Sequence, residues 1–150
     1  MSNDFDREQL VGIFVAEAGD DMAMLSAVLY PSGKPYPAPD EMRGHQTIGH
    51  KLKGAALLYG FPGLGRLGEF LETLLEDPNA LAEETWPGTV ALLREIVERF
   101  RTQIEVIGHG GTESGQSLDD LACRIEAVLS TPHARAEKPE PDVSDAYLVP

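Results

Sequence analysis

The sequence predicts an all-α protein, an antiparallel up-down four-helix bundle with an additional short C-terminal helix. Three observations carry that expectation. Apolar residues recur at three- and four-residue steps through several long stretches, the mark of helices with one buried face. No segment alternates convincingly in the manner of a strand. Proline and glycine clusters separate the periodic stretches, where connections belong. Long helices joined mostly by short connections form an up-down bundle, with one long loop as the exception.

The first helix is expected from about Asp6 to Leu29. Leu10, Ile13, Phe14, Ala18, Met22, Leu25 and Leu29 give it a core face. Gly12 and Gly19 either weaken it or allow a close helix crossing. The next ten residues carry Pro31, Pro35, Pro37 and Pro39 with Gly33, and alternate prolines cannot hold a helix. Asp40 is a candidate cap for a second helix that runs unbroken to about Tyr59, where Gly60 ends it. Pro62 suits the first turn of a third helix ending near Glu76. Leu64, Leu67, Leu71, Leu74 and Leu75 form its core side, while Gly63, Gly65 and Gly68 either permit close approach to the second helix or fray its start. Asp77-Pro78-Asn79 reads as a turn.

A fourth helix is expected from roughly Pro87 to Ile107, with Val90, Leu93, Ile96, Val97, Phe100, Ile104 and Ile107 inward and Trp86 packed near its start. Residues 108–116 read as a flexible linker by composition. Ser117 or Asp119 opens a short fifth helix through Ser130. Docking on the bundle is favoured over a partner-binding role, since so short a helix is marginal alone. The organisation expected is therefore a bundle over 1–107, a linker and accessory helix over 108–130, and a disordered tail over 131–150, rich in proline and charge.

The chain has 150 residues, one ordinary domain with a possible tail. Its 25 acidic residues against 12 basic ones give a net charge of −13. That balance opposes nucleic-acid binding, which wants a basic stripe, and binding to anionic membranes. No apolar run is long enough to span a bilayer, and the acidic start Met-Ser-Asn-Asp-Phe-Asp lacks the regions of a signal peptide. The single Cys123 cannot form an internal disulfide and reads as a small packed residue. A monomeric, cytoplasmic protein is expected, free-standing rather than a fragment of a larger one.

The most informative stretch is His50-Lys51-Leu52-Lys53-Gly54-Ala55-Ala56-Leu57-Leu58-Tyr59-Gly60-Phe61. On a helical wheel Lys53, Gly54 and Leu57 share the side of His50, while Ile48, Leu52, Ala55 and Tyr59 form an apolar stripe opposite. The imidazole therefore faces water from a helix anchored on its other side. A solvent-facing imidazole is a usable nucleophile near neutral pH. Lys51 and Lys53 flank it, at about 100° and 60° in projection, so Lys53 is the better placed to hold an anion. The competing reading is a solvated face, and His45, His109 and His133 are read in that way.

His50-x-Leu52-Lys53-Gly54-x-Ala56 resembles the core motif of histidine phosphotransfer (HPt) domains. With Gly60-Phe61, Leu64, Leu67 and Glu72, the chain is similar to the phosphotransfer domain of chemotaxis-type histidine kinases. The match extends from the N-terminal helix to about residue 76. The resemblance implies that His50 accepts a phosphoryl group on Nε2 from a kinase or a receiver aspartate, and passes it to a receiver-domain aspartate. It implies that Lys53 steadies the phosphoryl oxygens, that Gly54 leaves room for the partner, and that Glu72 orients the imidazole through its other nitrogen. Glu72 can do so only if its helix packs antiparallel on the His50 helix; otherwise it is a surface helix residue. Two departures stand out. Glu69 occupies a position where those domains often carry a second histidine, and Lys51 replaces a small hydroxyl residue.

Leu57 and Leu58 flank the histidine as a candidate docking patch, beside Gly54 and Lys51, although for Leu58 a core contact is the favoured reading. The partners implied are a receiver domain and a histidine kinase, without nucleic acid or membrane. No cofactor or metal is expected in this chain, because the receiver brings its own Mg²⁺. The alternative function is a helical adaptor that binds a receiver or kinase without transferring phosphate. An enzyme with its own active site is disfavoured: His45 and His50 lack metal-ligand spacing, and nucleophile and nucleotide motifs are missing. The chain reads as a phosphoryl carrier.

Overall fold

The computed structural model describes residues 3–113 and 117–130; the expected tail and the last three residues of the expected linker, 114–116, lie outside them. Among the described residues seven helices form, in the order α1 (Asn3–Leu29), α2 (Pro39–Arg43), α3 (Gln46–Leu58), α4 (Pro62–Glu76), α5 (Pro78–Leu81), α6 (Trp86–Gly108) and α7 (Asp119–Leu129). Helices α1, α3, α4 and α6 make the antiparallel bundle, and α7 packs on α4, α5 and α6. No strand occurs among the described residues. No helix there is long and apolar enough to cross a membrane.

The seam of α1 is narrower than its apolar pattern. Phe14, Ala18, Met22, Leu25 and Leu29 are buried, whereas Leu10 and Ile13 are exposed. Ile13 sits about 100° from Phe14 around the helix and so cannot share the face that meets α3 and α6. Gly19 merely touches the tip of Ile104 and Gly12 has open space, so neither makes a close crossing.

The expected second helix is broken. The chain turns at Gly44 and His45, where His45 N–H bonds the Met42 carbonyl three residues back. Glycine's low helix propensity makes the break cheap, and it lets Met42 plug the core completely. The cap of α2 is Ala38, not Asp40: Pro39 takes the first helical position, and the Glu41 carboxylate accepts from Ala38 N–H at 2.9 Å.

Helix α3 stops where the sequence indicates. Gly60 adopts φ +86°. Its N–H bonds the Leu57 carbonyl while Phe61 N–H bonds the Ala56 carbonyl, a Schellman closure. Pro62 then opens α4. Segment 108–113 is tethered rather than free: the Glu113 carboxylate accepts from the N–H groups of Gly63 (3.0 Å) and Leu64 (3.1 Å), satisfying orphan donors at the start of α4. The expected turn at 77–79 is a short helix, α5, capped by the Asp77 side chain and burying Ala80.

The long proline loop is pinned from α6. Arg94 donates to the carbonyls of Leu29 and Pro35 and lies over the Tyr30 ring. Trp86 donates from Nε1 to the Pro37 carbonyl at 2.6 Å. Helix α7 buries Leu121 and Ile125 and bonds Arg124 to Glu95 at 2.7 Å. Docking in cis is therefore realised for the accessory helix. Cys123, expected to be packed, points outward, because the α7 seam runs through Leu121 and Ile125 on the other side.

Candidate functional site

Helix α3 carries its histidine as the wheel requires. Ile48, Leu52 and Ala56 are buried, with Ala55 and Tyr59 half-buried beside them. That stripe fixes α3 to the bundle and turns the opposite side outward. The His50 side chain is 72% exposed.

Two glycines let α4 come unusually close. A methyl group on Gly68 would lie 2.8 Å from the Lys53 backbone nitrogen, and one on Gly49 would lie 2.7 Å from that of Glu72. Without side chains at these points the two backbones nearly touch. The antiparallel pairing then sets Glu72 of α4 beside His50. Its Oε2 lies 2.8 Å from His50 Nδ1, and its Oε1 accepts from Lys53 Nζ at 3.0 Å. One carboxylate thus joins both residues.

The electrostatics follow from that geometry. The Glu72 carboxyl is held below the usual carboxylate range, first by the hydrogen bond from Lys53 and, against the cost of burial, by the one from His50. Lys53 is correspondingly raised by its bond to Glu72. An ionised carboxylate only accepts, so the imidazole proton resides on Nδ1. The Nε2 lone pair is then directed away from the carboxylate.

The chain matches the sequence model of the Hpt domain over residues 9–103. It belongs to the Hpt domain family. The Hpt domain is a phosphotransfer module of two-component signalling. No curated protein and no solved structure gives a significant match.

The remaining sequence-derived candidates of this Hpt domain fall into three groups. Gly54 is exposed on the histidine side, and a methyl group there would meet nothing within 4 Å, so the surface beside His50 is open. Leu57 is 55% exposed and drapes over Gly65 of α4. Leu58, expected to contact the core, is instead 78% exposed, at the last position of α3 and away from its buried stripe of Ile48, Leu52 and Ala56. Lys51 turns away from His50 toward α1, where its ammonium lies 2.8 Å from Asp21 Oδ2. That contact lacks hydrogen-bond alignment and acts through charge alone. Lys53 is half-buried and engaged by Glu72 rather than free in solvent.

Sequence reasoning did not find Asp21, whose role depends on the fold of α1 beside α3, nor Gly49. The only signal for Gly49 was its position next to the histidine together with Gly68 on the following helix. Glu113 was hidden in a stretch whose composition reads as linker. Among the described residues, no group of three or more His, Cys, Asp or Glu side chains is placed to hold a metal ion.

Proposed function

We propose that His50 is the phosphoacceptor of a two-component phosphorelay, taking the group from a kinase or a receiver aspartate and passing it to a receiver aspartate. The observation that carries this reading is the Nδ1–Glu72 contact of 2.8 Å on a ring that is 72% exposed. In the transfer, the Nε2 lone pair attacks phosphorus as the bond from phosphorus to the donor's oxygen breaks. The donor leaves with that electron pair. The imidazole gains the phosphoryl group, retains its Nδ1 proton, and so becomes cationic. Glu72 is best matched to that cationic ring, because hydrogen bonds between charged groups are the stronger ones.

Lys53 supplies an ammonium one turn from the incoming oxygens, and part of its attraction passes from Glu72 to the phosphoryl group as charge arrives. Gly54, Leu57 and Leu58 offer the partner an unobstructed apolar approach. Lys51, turned toward Asp21 of α1, stands outside that approach. Mg²⁺ belongs to the receiver in this scheme, and this chain acts as a carrier without a metal of its own. We place the protein in the cytoplasm as a monomer.

The test is direct labelling. Incubation with a phosphorylated receiver should transfer acid-labile, base-stable label to the wild-type chain and none to His50→Gln. Equal label on the variant would defeat the assignment. Tight receiver binding without any label on the wild type would leave an adaptor instead.

A further inference from the structure

We infer that Gly49 and Gly68 are positioning residues for the phosphoacceptor: their backbone crossing sets the reach of Glu72 and thereby the tautomer of His50. This rests on the phosphotransfer reading of His50.

The contacts are reciprocal and specific. A methyl group on Gly49 would meet the nitrogen of Glu72 at 2.7 Å, the Gly68 carbonyl oxygen at 3.0 Å and the Glu72 Cα at 3.1 Å. One on Gly68 would meet the Lys53 nitrogen at 2.8 Å, with the Gly49 carbonyl oxygen and the Lys53 Cα both at 3.1 Å. Each glycine therefore abuts the main chain of a residue whose side chain works in the site. The other glycines of α3 and α4 behave differently. Gly54 meets nothing, while Gly63 and Gly65 meet only the side chains of Glu113 and Leu57.

Main chain inside two hydrogen-bonded helices cannot swing aside as a side-chain tip does. A methyl group at either position forces the helices apart by roughly 0.7 Å before contacts reach the ordinary ~3.5 Å. The Nδ1–Oε2 distance of 2.8 Å has no such slack. Lengthened by that amount it leaves the hydrogen-bonding range. Rotamer changes recover only part of the loss, because side-chain torsions move between discrete wells. Released from the carboxylate, the ring is free to carry its proton on Nε2, which removes the nucleophilic lone pair.

The experiment compares wild type, Gly68→Ala, Gly49→Ala, Glu72→Ala and the Gly68→Ala/Glu72→Ala double variant. Phosphoramidate serves as donor, since a small phosphodonor needs no docking surface. The ¹⁵N spectrum of the imidazole reports the tautomer, and circular dichroism reports helix content. Gly68→Ala and Gly49→Ala should keep their helices, shift His50 toward the Nε2–H tautomer and label about tenfold more slowly. In the Glu72→Ala background, which leaves no acceptor for Nδ1–H, Gly68→Ala should slow labelling no further, because the glycine acts through the carboxylate. Gly12→Ala, in open space on α1, should label as wild type does.

An unchanged tautomer and rate in the folded alanine variants would overturn the inference. So would losses that multiply in the double variant, as expected of general damage to packing. Should the alanine variants not fold, Glu72→Asp decides, because it withdraws the carboxylate by one methylene and leaves the crossing intact. Loss of the Nδ1–H tautomer there supports the inference, and a wild-type tautomer and rate overturn it. A wild type that takes no label at His50 defeats the phosphotransfer reading, while the tautomer comparison still tests the glycines.

Discussion

Replacing Glu72 with Gln keeps the shape of the side chain and removes its charge. The native carboxylate accepts at both oxygens, from His50 Nδ1 at 2.8 Å and from Lys53 Nζ at 3.0 Å. An amide has one acceptor oxygen, so it can serve one donor and must turn its NH₂ toward the other. The loss matters most as the ring becomes cationic, since a neutral acceptor then replaces a charged one. Hydrogen bonds to charged groups are the stronger class, but the exposed ring keeps this one at the weaker end, which corresponds to about a tenfold slower transfer. The assay is single-turnover transfer from a phosphorylated receiver at saturating concentration, so that docking does not enter. Helix content and receiver affinity should stay at wild-type levels. A transfer rate within twofold of wild type would refute the idea that the carboxylate assists the chemistry.

Arg94→Ala should destabilise the fold by about 2 kcal/mol in urea unfolding, since its bonds to the Leu29 and Pro35 carbonyls vanish together; a change below about 0.5 kcal/mol would contradict that anchoring role. Leu58→Ser should leave stability within about 0.5 kcal/mol of wild type, as its side chain is out in water; a large loss would place Leu58 back in the core. The folded pKa of Glu72 is depressed, so its contribution to stability is present above the unfolded value of about 4.3 and is lost as pH falls through the lower folded value. The carboxyl carbon of Glu72, followed by NMR through an acid titration, should show its midpoint below that value, and a midpoint at or above it would deny the bonds from Lys53 and His50.

The helices were legible because burial is periodic. Leu64, Leu67, Leu71, Leu74 and Leu75 repeat as a core face must, and all are buried in α4. The exposure of His50 followed from the same wheel. What periodicity cannot register is a demand made from elsewhere in the fold. The break at Gly44 and His45 serves Met42, which must reach a core that the local pattern does not define. Leu58 belongs to an apolar run, yet it stands off the stripe that the bundle covers and stays in solvent. Asp21, Gly49 and Glu113 acquire their roles from residues 30, 19 and 50 positions away, at Lys51, Gly68 and Gly63, so no local signal announces them.

Successive charged residues of α3 are lashed to different neighbours: Lys51 to Asp21 of α1, and Lys53 with His50 to Glu72 of α4. Opposed tethers of this kind resist any roll of the helix about its long axis. The azimuth of the ring is thereby uncoupled from whatever occupies the outer rim at Gly54, Leu57 and Leu58. On the proposed reading that rim can be rewritten to suit a new receiver while the imidazole keeps its aim, which makes this surface the natural place to begin retargeting.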